Sequence, residues 1–195
     1  MDSFVDHYII QELFMNKDAF WRSVFFYKTP GPDGKLYAGP VWDFDQGAGS
    51  MNDLVGSGLS EVSPDTDLNR TVVYSNNINK PVGVPWVAYA SVWYRLLFTF
   101  DEFNILVRDR LDALESTIKA VLRTAKTDGS ANTYYAKYGA AMERNFERWK
   151  MSERVWPTTD AIFAIKTIKG QMDYMREWLL ERYDVLCEYY GVYDM

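Results

Sequence analysis

A single cysteine, Cys187, and a single histidine, His7, stand in the whole sequence. One cysteine excludes an internal disulfide and any cysteine-rich zinc site. One histidine removes most zinc constellations and the Ser-His-Asp machinery of hydrolases. Both residues are therefore read as structural. Basic residues are also in deficit, 21 Lys and Arg against 27 Asp and Glu, for a formal charge of −6. Phosphate-backbone recognition needs a concentrated basic surface, so a nucleic acid is not an expected partner. No block of like charges suggests a solvated tail. No stretch approaches the roughly 18 consecutive apolar residues of a membrane span. A secretory leader pattern is missing as well, because Met1 runs straight into Asp2-Ser3-Phe4-Val5-Asp6. That segment reads as a helix start, with Ser3 capping and Asp6 completing a capping box. A chain opening in mid-fold is expected to be a portion of a longer protein, and the sequence by itself assigns no compartment.

Aromatic residues, by contrast, are abundant, with 7 Trp, 14 Tyr and 11 Phe making 16% of the chain. Each buries a large area, so they are expected mainly in the core. Residues 3–15 read as a helix, with Val5, Ile9 and Leu13 at fourfold spacing and Phe4 and Tyr8 beside them. After Asn16-Lys17-Asp18, a hairpin is predicted, with strands at about 24–28 and 36–43 around the turn signal Thr29-Pro30-Gly31-Pro32-Asp33-Gly34. Residues 46–84 are rich in Gly, Ser, Asn and Asp and lose periodicity, which predicts an irregular, mobile segment bordering a functional cleft. From Pro85 the pattern is helical: 86–98, then a long helix from Asp101 with Phe103, Val107, Leu111, Leu114, Ile118 and Val121 on one face. A third helix is expected at 131–153. A last one, capped by Thr159, runs to about Tyr190 with Ile168, Met172, Met175, Leu179, Tyr183 and Leu186 inward. The fold class is thus mainly α (α+β), with one short hairpin. It reads as a single domain: 1–49 helix and hairpin, 50–84 irregular loop, 85–195 helical bundle.

The residues that suggest chemistry lie in Gly39-Pro40-Val41-Trp42-Asp43-Phe44-Asp45. On a strand, alternate side chains share a face, so Asp43 and Asp45 would point the same way. Paired carboxylates repel, and a hard divalent cation removes that cost. They could equally be a solvated strand end whose acids cap nearby backbone groups. Asp18, in the loop between helix and strand, is a candidate catalytic acid or an ordinary Asx-turn residue. Arg22 and Lys28 could hold a phosphate or simply be solvated.

Taken together, Asp6-His7-Tyr8-Ile9-Ile10-Gln11-Glu12-Leu13-Phe14, Asn16-Lys17-Asp18-Ala19-Phe20, Ser23-Val24-Phe25-Phe26-Tyr27-Lys28, Gly34-Lys35-Leu36 and the G-P-x-W-D-x-D run closely resemble the spore-coat CotH kinase family. The likeness is specific over residues 4–49 and weaker at Trp86 to Leu97 and at Trp178-Leu179 to Arg182, where the family has a W-L-x-x-R-like helix. It implies a helical kinase-like C-terminal lobe that, in the intact protein, transfers phosphate from ATP, with Mg²⁺ or Mn²⁺, to Ser or Thr hydroxyls of protein substrates. It also implies a bacterial secreted or cell-surface parent. Carried onto this chain, Asp18 resembles the catalytic aspartate that orients the attacking hydroxyl and accepts its proton. Asp43 resembles the metal-binding aspartate, and Asp45 a second ligand. Arg22, Ser23 and Lys28 would face the nucleotide.

Two departures accompany the resemblance. An ordinary kinase has a metal-binding Asn five residues after its catalytic Asp, where this chain has Ser23. A glycine-rich phosphate loop and a strand lysine are not found upstream of Asp18; they are expected before Met1, so this chain alone should hold ATP poorly. The competing expectations are a non-catalytic surface-binding or adhesion module on the same scaffold, and a metal-stabilised structural domain.

Overall fold

The computed structural model describes residues 1–16, 23–45, 47–49, 85, 87–153 and 160–194. Segment 50–84, Asp18, Arg22 and Thr159 therefore lie outside the described residues. The rest is mainly helical with one antiparallel hairpin, as the sequence periodicity predicts.

Helix α1 (Asp2–Phe14) is the centre of the fold, with buried residues on more than one face: Val5, His7, Tyr8, Ile9, Gln11, Glu12 and Leu13. Strand β2 (Leu36–Ala38) and helices α2 (Val87–Ala90), α4 (Asp101–Thr124) and α7 (Ile168–Tyr189) all pack on it. No side chain caps α1, whose N-cap is Met1. Ser3 instead accepts a hydrogen bond from the Ala38 amide of β2 at 3.3 Å, so the expected capping box is replaced by a tie to the hairpin.

Strand β1 (Phe26–Lys28) pairs with β2 in the register Phe26–Ala38, Tyr27–Tyr37 and Lys28–Leu36. The Tyr27 and Tyr37 rings stack across the pair with centroids 5.0 Å apart. The ladder ends one step later, where the Gly39 amide donates to the Phe25 carbonyl at 2.8 Å. Pro40, joined by a cis peptide, has no N–H to continue it. The hairpin is therefore shorter than the sequence pattern suggests, and Val41 to Asp45 leave it as irregular backbone.

The helix expected at 86–98 is two pieces, α2 and α3 (Val92–Leu97), separated at Ser91. Helix α4 presents Phe103, Val107 and Leu111 to the core. Val121 departs from the expected face: it is exposed, and Leu122 is buried in its place. Helix α5 (Tyr134–Arg148) is capped by Thr133, whose hydroxyl accepts from the Ala136 amide. The last expected helix is likewise divided, into α6 (Asp160–Ala164) and α7. Thr167 caps α7 by accepting from the Gly170 amide, the polar-to-backbone geometry that starts a helix.

Aromatics supply much of the core. Tyr8 meets the rings of Phe98 and Phe103 edge-on, at 4.8 and 6.3 Å, and its hydroxyl bonds that of Tyr190. Tyr183, on α7, donates to the Leu111 carbonyl of α4 at 2.6 Å. No helix of the described residues is long and apolar enough to cross a membrane.

Candidate active site

The site grows from the C-terminal end of α1. Met15 takes a left-handed conformation (φ 49), and the amides of Met15 and Asn16 turn back to the carbonyls of Glu12 and Gln11. This is a Schellman-type stop, which uses the last carbonyls and redirects the chain. The segment 43–49 then docks against it. The Ala48 amide donates to the Phe14 carbonyl at 2.7 Å, and the Phe14 and Phe44 rings meet edge to face at 5.0 Å. Gly47 sits so close that a β-carbon there would lie 2.8 Å from the Phe14 carbonyl oxygen. Gly49, at φ +71, lies against the indole of Trp178. The W of the W-L-x-x-R helix thus closes the far side of this loop.

On this loop Asp43 is exposed and left-handed, with φ 64; Ser23, across from it, is left-handed too, with φ 50. The two meet: the Ser23 hydroxyl donates to Asp43 Oδ2 at 3.2 Å. Non-glycine residues at positive φ are uncommon and gather at functional sites. Two adjacent oxygens of an octahedral Mg²⁺ shell with bonds of about 2.1 Å lie about 3 Å apart. The spacing and the all-oxygen donor set therefore fit a hard divalent cation. Among the described residues no group of three His, Cys, Asp or Glu is placed to hold a metal ion, and Asp43 and Ser23 bring two oxygen donors together.

Asp45 is exposed on the same loop. Its expected alternation with Asp43 on a strand face is corrected, because the segment is not a strand and Asp43 has the wrong φ for one. Lys28 lies in the hairpin. It stands at the turn end of β1, where its ammonium donates to the carbonyls of Gly31 at 3.0 Å and Thr29 at 3.4 Å, holding the hairpin turn.

Two buried polar arrays behind the loop were not assigned roles by sequence reasoning. Glu12 accepts from the first amides of α2, Val87 at 2.7 Å and Ala88 at 3.1 Å, and from Arg182 Nη2 at 2.5 Å. The second array links Asn16, Gln11, His7 and Tyr94. Burial holds the His7 imidazole well below its usual range, down to about 4, so it is neutral at pH 7. A signal was present: Gln11 and Glu12 interrupt the otherwise apolar run from Tyr8 to Phe14. Two adjacent polar residues both become buried only when the helix is covered on several sides.

The chain matches the family described as CotH kinase protein over residues 1–186. No curated protein and no solved structure matches it.

Proposed function

The chain belongs to the CotH kinase family, and on that premise we propose that it carries catalytic machinery for ATP-dependent phosphate transfer to Ser or Thr hydroxyls of proteins. The observation that carries the reading is the contact between Ser23 and Asp43. Phosphoryl transfer asks for positioning and charge neutralisation more than for covalent chemistry. Asp43 and Ser23 would hold Mg²⁺ or Mn²⁺, with Asp45 as a further oxygen donor; the bound cation supplies positive charge for the ATP phosphates. Ser23 occupies the position where an ordinary kinase has its second metal ligand, so its place beside Asp43 supports that role. Asp18 is assigned the orientation of the attacking hydroxyl and acceptance of its proton, and Arg22 a contact to phosphate.

The test is transfer of labelled γ-phosphate by the full-length protein to itself or to an added protein. Asp43→Asn should abolish transfer while leaving the circular dichroism spectrum unchanged. Asn tolerates left-handed backbone at least as well as Asp, so this change removes charge without disturbing the turn. A variant that transfers at the wild-type rate would end the reading. A second reading, a binding module, is favoured by the exposed rings of Tyr27, Trp42 and Trp93 beside the hairpin and on α3. It would be supported by a wild-type protein that transfers no phosphate and binds no nucleotide.

A further inference from the structure

We propose that Asn16, backed by Gln11 and His7, is a positioning element for Asp43: a buried ladder of side-chain hydrogen bonds ties the candidate metal ligand's backbone to the aromatic core. This rests on the phosphotransfer reading, since it names what holds that site in place.

The direction of each bond follows from chemistry. The Asp43 carbonyl can only accept, so Asn16 presents its amide nitrogen to it, at 3.3 Å. The same nitrogen donates to Gln11 Oε1 at 2.9 Å, which uses both of its hydrogens. With Oε1 committed, Gln11 turns Nε2 toward His7 Nε2 at 3.4 Å, and that ring nitrogen must accept. The other, Nδ1, then carries the hydrogen and lies 2.6 Å from the Tyr94 hydroxyl on α3. Reversing Asn16 would set two carbonyl-type oxygens against each other. Reversing Gln11 would oppose two amide nitrogens. One arrangement makes all four contacts hydrogen bonds.

All four side chains are buried, with Gln11 and Asn16 at 0% exposure. A neutral hydrogen bond adds little net stability, and apolar replacement of a buried polar pair is often close to neutral. Stability alone therefore does not call for such a chain. What it supplies is a single geometry, because in a low-dielectric interior a half-satisfied ladder is costly. Asp43 is exposed and sits on irregular backbone, so its location depends on how that backbone is anchored. Phosphoryl transfer is sensitive to displacements of about 1 Å.

The experiment compares Gln11→Leu, Gln11→Glu and Val107→Ala in the full-length protein. Gln11→Leu keeps approximate volume but takes away the acceptor for Asn16. Gln11→Glu restores one, with His7 switching tautomer to donate from Nε2. Val107 is buried on α4 and serves as a stability control. With every variant folded at the assay temperature, Gln11→Leu should raise the Mn²⁺ concentration for half-maximal transfer tenfold or more and lower kcat. Gln11→Glu should recover most of both. Val107→Ala, at an equal or larger loss of Tm, should leave both within twofold. Mn²⁺ binding without nucleotide, read from the free-ion paramagnetic resonance signal, should follow the same order. If Gln11→Leu does not fold, Gln11→Met is read in its place. Loss of Tm alone, with metal dependence matching Val107→Ala, would overturn the positioning role and leave the kinase reading standing. A wild-type protein that neither transfers phosphate nor binds Mn²⁺ through Asp43 would overturn both.

Discussion

Arg182 reaches 170 residues back along the chain to Glu12, and neither side chain has any exposed surface. Its Nε also donates to the Glu12 carbonyl at 3.3 Å. Glu12 in turn holds the first amides of α2, so one carboxylate joins α1, α2 and α7. Phe14, Met15 and Asn16 follow just after Leu13 and anchor the candidate site. The ion pair is thus the rear support of that loop.

Replacing Arg182 with Leu should leave Glu12 a buried carboxylate without its cation. Breaking a buried pair in this way typically costs about 3–5 kcal/mol. Urea denaturation should show that loss as a lower midpoint with an unchanged slope. A change below about 1 kcal/mol would mean that water reaches Glu12.

His7 should make stability depend on pH in one window. Its folded pKa is lowered from 6.5 to about 4, so the unfolded chain takes up the proton first as pH falls. Stability is therefore lost between pH 6.5 and 4, by at most about 1.4 kcal/mol per pH unit, and is unaffected above that range. Subtracting the stability profile of His7→Gln from that of the wild type isolates the effect. A flat difference across this window would contradict it.

Ser23→Asn should be tolerated or mildly stabilising, because Asn accepts a φ of 50 more readily than Ser. It also returns a stronger oxygen ligand beside Asp43. Mn²⁺ affinity should hold or tighten in Ser23→Asn and fall several-fold in Ser23→Ala. The reverse order, measured by calorimetry, would remove Ser23 from the ligand set.

Cys187 is fully buried, and burial pushes its thiol above the usual range. Thiolate is the reactive form, so a disulfide reagent at pH 7 should modify the native protein slowly and the urea-unfolded protein quickly. Rapid labelling of the native chain would show that the C-terminal end of α7 opens.

The family and the helical class were legible because both rest on local patterns. The stripe from Phe103 to Leu111 and the G-P-x-W-D-x-D run can be read within a few turns of chain. Element breaks were less legible. Ser91 interrupts one helix and 165–167 another, where tertiary packing overrides a continuous apolar pattern. Val121 shows the same limit: the buried face of α4 drifts over its length, so Leu122 turns inward instead.

By itself, then, the sequence determined that the chain is mainly helical with one hairpin, and that Asp43 stands in the G-P-x-W-D-x-D run that carries the family likeness. Hydrophobic periodicity, proline and glycine act over short distances and carry that information. Only the tertiary structure decided that the run leaves the hairpin as irregular backbone, that Ser23 meets Asp43, and that Gln11, Glu12 and Asn16 are buried. Those outcomes depend on partners 20 to 170 residues away. A polar side chain reveals nothing of its burial until the groups that satisfy it are brought around it.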